Sequence, residues 1–130
     1  MINQKNAADV FKVLSDPTRL RIMRLLVVNK TEICVCEFVD SMEEQQYNVS
    51  KHIKLLESSG LIERRKESRW IYYSTTKEKD PIAAALFKII ASLPDSEKQF
   101  ITDQKRFDSR MKLREAGRCQ IGIQNAKLSS

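Results

Sequence analysis

Two thiols two positions apart, Cys34 and Cys36 in the run Ile33-Cys34-Val35-Cys36-Glu37-Phe38, carry the most telling chemistry in this chain. Thiolates bind soft, thiophilic ions in preference to hard ones, so the pair reads as a ligand site for such an ion. Free cysteine is also among the most buried residue types, and the same pair is compatible with two small hydrophobes in a core. Oxidation to a strained disulfide or a sulfenate would instead make it a redox sensor. On a regular helix, residues two apart point about 200° away from each other. Chelation by both is therefore expected to distort or unwind the turn that carries them. The remaining thiol, Cys119, lies far along the chain.

An enzyme using these thiols is a weaker reading. No Gly-rich phosphate loop, Cys-x-x-Cys motif or His/carboxylate partner set is visible, and a turnover site needs a base near its thiol. The single histidine, His52, precedes the apolar Ile53. Its surroundings suit a structural role or a contact with a nucleic-acid backbone better than metal ligation.

The elements that must position the thiols follow from periodicity. Ala7, Val10, Phe11 and Leu14 mark a short amphipathic helix. Ser15-Asp16-Pro17 stops it and starts a second, whose stripe is Leu20, Met23, Leu26 and Val27, with Arg19, Arg21 and Arg24 outside. A third helix is expected over Ile33 to Met42, and the polar break Glu43-Glu44-Gln45 leads to a fourth over Gln46 to Ser59, stopped by Gly60. Two short helices joined by a tight turn form a helix-turn-helix.

Leu61 to Arg65 and Trp70 to Thr75 are strand-like runs around the charged tip Lys66-Glu67-Ser68-Arg69, hence a β-hairpin placed as a wing. Near the start of the fourth helix, Gln45, Gln46, Asn48, Ser50 and Lys51 are candidates for base edges in a major groove, with His52 and Lys54 beside them. Arg64, Arg65, Lys66 and Arg69 of the wing are placed to meet phosphate. Ile82 to Leu93 is apolar on more than one face, so a second subunit is expected to cover part of it. Phe100, Phe107 and Met111 allow a further helix from Ser96 to Arg114.

The formal charge is +6. Residues 1–94 hold 15 Lys/Arg against 12 Asp/Glu and residues 95–130 hold 8 against 5, so the excess is denser in the last part. The chain is therefore read as a domain over 1–94 followed by a basic extension over 95–130, partly helical and then flexible, with an anionic partner. Three cysteines and no signal-like N-terminus point to the cytoplasm, and no apolar run approaches the roughly 18 residues that span a bilayer.

Five runs in this order and spacing carry a resemblance: Leu14 to Ile22, Cys34-Val35-Cys36-Glu37, Asn48 to Leu56, Ser59-Gly60-Leu61-Ile62, and Arg69 to Tyr73. Over about residues 5–93 the sequence resembles the ArsR/SmtB family of metal- and metalloid-responsive repressors. The resemblance implies a homodimeric winged helix-turn-helix protein, mainly α with a small β-hairpin, that binds double-stranded operator DNA without a cofactor and releases it on binding an inducer. The Cys-Val-Cys run looks like both the arsenic/antimony-responsive and the cadmium/lead-responsive branches. It departs from both: the arsenic pattern's third Cys falls at Val39, and the cadmium/lead pattern's Cys ahead of the first helix are missing. Ligands on the dimerisation helix of zinc-responsive relatives include His, and residues 80–93 contain none. A three-thiolate site must recruit Cys119 or use a non-protein ligand. The expected inducer is As(III) or Sb(III), with an organoarsenical satisfied by two sulfurs; cadmium, lead and thiol oxidation are the alternatives.

Overall fold

The computed structural model describes residues 1–124, which form six helices and three strands. Helix α1 (Ala7–Leu14) gives way to α2 (Pro17–Asn29) at Asp16, whose carboxylate caps α2 by accepting the Arg19 N–H at 3.0 Å, with Pro17 in the first turn where no donor is needed. Strand β1 (Ile33–Cys34) leads directly into α3 (Val35–Met42), and the turn Glu43-Glu44-Gln45 joins it to α4 (Gln46–Ser58). Gly60, at φ +83°, takes the left-handed turn into the wing. The wing is β2 (Ile62–Glu67) and β3 (Trp70–Thr75), paired antiparallel with Glu67 opposite Trp70, so the loop is Ser68-Arg69 alone.

Two expectations are corrected here. Ile33 and Cys34 do not open a helix; they pair antiparallel with Tyr73 and Tyr72, giving a sheet of order β1-β3-β2. An extended Cys34, at φ −90° and ψ 165°, is thereby the N-cap of α3 instead of part of its first turn. The arginines of α2 are also not simply outside. Arg24 donates to the Ile90 and Leu93 carbonyls at the end of α5 (Pro81–Ser92), and Arg21 forks onto Asp103 and reaches the Met42 carbonyl.

The core joins Ile22, Met23, Leu25 and Leu26 of α2, Phe38 and Val39 of α3, and Val49, Ile53 and Leu56 of α4. Helix α6 (Gln99–Met111) packs along α3 and α2 and buries Phe107 in this same core. Asp80 caps α5, and Phe11 of α1 and Ile82 and Ile89 of α5 remain exposed. No helix among the described residues is long and apolar enough to cross a membrane. The tail expected to be flexible falls partly on residues 125–130, outside the described residues.

Candidate inducer site and nucleic-acid interface

The N-cap position of Cys34 decides the geometry of the thiols. Its backbone N–H donates to Glu37 Oε1 at 3.0 Å, while its Sγ accepts from the Glu37 N–H, a reciprocal box in which sulfur takes the place of the usual hydroxyl. Because Cys34 lies outside the helical spiral and Cys36 lies within it, their side chains converge, and the sulfurs are 3.0 Å apart. The expectation that both could be reached only by unwinding the turn is overturned: strand pairing with Tyr72 has already turned Cys34 towards its neighbour.

The third sulfur arrives from the other end of the chain. After α6, residues 115–118 fold into a tight turn in which Glu115 and Arg118 exchange both backbone hydrogen bonds, with Ala116 and Gly117 at positive φ. This returns Cys119 to α3, its Sγ 3.3 Å from that of Cys36, and all three sulfurs lie within 4.8 Å of one another. The Cys119 N–H is held by the Tyr72 hydroxyl at 2.8 Å. All three cysteines are free thiols and buried.

Two buried ion pairs brace this pocket. Arg110, fully buried, donates through Nε to Asp40 at 2.6 Å and through Nη2 to the Ile121 and Gly122 carbonyls, and the same Nη2 lies 3.6 Å from Cys36 Sγ and 3.8 Å from Cys119 Sγ. Its Nη1 is the single buried side-chain polar atom without a hydrogen-bond partner among the described residues. Asp40 also accepts the Gln124 N–H, which fastens the extension to α3. Arg114 forks onto Glu37 and donates to the Glu32 carbonyl.

These surroundings split the thiols. The hydrogen bond from Cys34 brings Cys36 down to about 7 against the opposing effect of burial, with help from Cys119 and the Arg110 charge. Cys34 is pushed up, first by its hydrogen bond to Cys36 and then by burial, and burial raises Cys119.

Of the residues expected to face DNA, Gln45, Gln46, Lys51 and Lys54 are exposed, and Asn48 and Ser50 are half-buried. Tyr47, which sequence reasoning did not single out, is 76 % exposed in the first turn of α4 beside them. His52 is half-buried: its Nδ1 lies 2.9 Å from Arg19 Nη1, and burial lowers its basicity. In the wing, Arg64 pairs with Glu57, and Arg65 pairs with both Glu32 and Glu67. Lys66 near the end of β2 and Arg69 in the hairpin loop are exposed, Arg69 stacking on Trp70 at 4.8 Å. Sequence reasoning did not single out Tyr72, Asp40, Arg110 or Arg114; an Arg at 110 and 114 on one face of a helix is indistinguishable from a solvated face until α6 is placed on α3.

Residues 16–64 match the family model described as a bacterial regulatory protein of the arsR family. An uncharacterised helix-turn-helix transcriptional regulator of Methanocaldococcus jannaschii is 38% identical over 73 residues, 56% of this chain and 81% of that relative. The chain belongs to the arsR family. Within the family, this regulator is 40% identical over 70 residues to an arsenic resistance transcriptional regulator of Pseudomonas putida, covering 54% of this chain and 60% of that one. It is 38% identical over 76 residues to a cadmium resistance regulatory protein homolog of Staphylococcus aureus, 58% of this chain and 62% of the relative. The match thus spans about three fifths of the length of these two metal-resistance relatives. Among solved structures, reduced HlyU from Vibrio cholerae superposes with a TM-score of 0.59 at 25% identity, over 68% of this chain and 87% of that one. The family model includes Cys34 and Cys36 and ends well before Cys119.

Proposed function

We propose that this arsR-family regulator is a repressor released from its operator by trivalent arsenic or antimony bound through Cys34, Cys36 and Cys119. The observation that carries the reading is the donor set: three buried sulfurs within 4.8 Å of one another. Three soft donors, with no His or carboxylate in the cluster, suit a thiophilic ion that takes three ligands. The resemblance of the flanking sequence to an arsenic resistance regulator supports the same choice.

The chain's own residues connect this pocket to DNA recognition. Cys36 lies on α3, which passes directly into α4 through Glu43-Glu44-Gln45, and Cys34 pairs with the wing strand β3. Cys119 grips that strand through Tyr72. Three bonds to one ion reset the spacing of the sulfurs, 3.0 Å between Cys34 and Cys36 and 3.3 Å between Cys36 and Cys119 without it, and this shifts α3 and β3 against each other, and with them the reading helix and the wing. A hundredfold loss of operator affinity needs coupling of about 2.7 kcal/mol, small against the strength of thiolate bonds. Exposed Phe11, Ile82 and Ile89 supply an apolar face on α1 and α5 for a second copy, which would set two α4 helices on successive turns of DNA.

Sulfurs this close also support a second reading, in which an oxidant such as peroxide takes two electrons and two protons from Cys34 and Cys36 to form a disulfide. Operator gel shifts with arsenite and with peroxide, repeated after reductant, decide between them. Release by arsenite under reducing conditions supports the metalloid reading. Release by peroxide alone, reversed by reductant, replaces it.

A further inference from the structure

The charges around the three sulfurs are matched one for one. Asp40 and Arg110 are both fully buried and joined at 2.6 Å, and Glu37, also fully buried, is joined to Arg114 at 2.7 Å. Further out, Arg106 lies against Glu43, and Arg118 and Arg65 share Glu67 and Glu32 between them, two charges of each sign. The frame holding the thiols therefore carries no net charge, and it is closed: Cys34 is 2% and Cys119 0% exposed. In such a place, a net charge created on binding is poorly screened by water.

The two classes of thiophilic ion differ in the charge they leave. Arsenous acid exchanges three hydroxides for three thiols, the hydroxides leaving as water with the thiol protons, and the product is neutral. A divalent ion that displaces three thiol protons gives a tris-thiolate of charge −1, with three protons released to solvent.

We propose that the paired charges Asp40 with Arg110 and Glu37 with Arg114 make this pocket selective for neutral tris-thiolate complexes, so that trivalent arsenic or antimony is held in preference to cadmium or lead. The inference rests on the reading that the three sulfurs bind a thiophilic ion, and adds what sets the choice among ions with the same three donors. The carboxylates and guanidiniums touch no ion; they act through the charge of the pocket and are positioning residues.

The test uses the full chain and measures affinity for arsenite and for Cd(II) by thiolate charge-transfer absorbance, in competition with a dithiol and with a chelator. Glu37→Gln and Asp40→Asn each remove one negative charge from α3 beside the sulfurs while keeping an oxygen acceptor. Both should raise the ratio of Cd(II) affinity to arsenite affinity by about tenfold or more. Arg114→Gln removes a positive charge and should lower the ratio, a reversal of sign that loss of packing alone does not produce. A ratio unchanged in all variants, or raised by one carboxylate variant only, overturns the proposal. Wild-type protein giving no charge-transfer band with either ion removes the inducer reading itself, whereas an arsenite band with an unresponsive ratio removes only the selectivity.

Discussion

The backbone N–H of Cys119 donates to the hydroxyl of Tyr72 at 2.8 Å, tying the C-terminal extension to the strand that also pairs with Cys34. Tyr72 is buried with Arg65 on its ring at 5.1 Å and Arg114 at 5.7 Å, so its hydroxyl is held in place for this bond. Removing the hydroxyl in Tyr72→Phe leaves a buried N–H unpaired and should cost about 1–3 kcal/mol locally. The expected result is an arsenite response weakened about fivefold or more, with operator affinity in the absence of arsenite unchanged. An arsenite titration of operator release that superimposes on wild type would show that Cys119 is placed by other contacts.

Cys34→Ser and Cys36→Ser should keep operator binding and lose release by arsenite, because the thiols serve the induced state and a hydroxyl is a poor ligand for a thiophile. Cys119→Ser should lower sensitivity to arsenite and leave release by a phenylarsenical intact, since two sulfurs satisfy that ligand. Fluorescence anisotropy of labelled operator, titrated with each arsenical, reads all three. A full arsenite response in Cys34→Ser would end the model.

The wing arginines are expected to differ in what they contribute on DNA. Arg69 in the loop and Lys66 close to it are exposed, and replacing either by Ala should reduce the dependence of log affinity on log salt by about one unit, without altering base preference. Arg65 must first leave Glu32 and Glu67, so Arg65→Ala should change the slope less. Gln46→Ala or Asn48→Ala should instead relax base preference. Selection from randomised operators at two salt concentrations separates the roles; a wing variant with altered preference and an intact slope would reverse them.

The helices and the wing were legible because each follows its own period and carries its own punctuation: Asp16-Pro17, Gly60, Asp80-Pro81. Cys34 was misplaced because a two-residue strand has no periodicity to read. Only its partner Tyr72, 38 positions later, defines it as extended, and that one change of backbone turned two diverging thiols into a converging pair. Arg21, Arg24 and Arg110 were read as outward or passed over for a related reason. A guanidinium that satisfies helix-end carbonyls or a buried Asp has the same spacing as one in solvent. Helix α6 explains most of this, since its place against α3 is a long-range contact that no local pattern encodes.

His52 gives a pH signature. Burial lowers its folded pKa below the ordinary value, so the folded chain binds fewer protons than the unfolded one as pH falls through that window. Its contribution to stability is fully present above the unfolded value near 6.5 and declines as pH drops towards the folded one. Protonation also sets a cation against Arg19, whose Nη1 lies 2.9 Å from Nδ1. Urea midpoints should therefore fall between pH 7 and pH 5.5 more steeply for wild type than for His52→Gln. Parallel slopes would place the acid sensitivity elsewhere.

The turn at residues 115–118 has a consequence for the regulator as a polypeptide that can be cut. It is exposed, carries Arg118 next to Gly117, and lies on the covalent path from α6 to Cys119. A protease that nicks it spares every residue proposed to touch DNA and severs the third sulfur from the other two. On the proposed function, the product of such a cut would still occupy its operator but be deaf to inorganic arsenite, so a single hydrolysed peptide bond would turn a reversible regulator into a standing block on its gene.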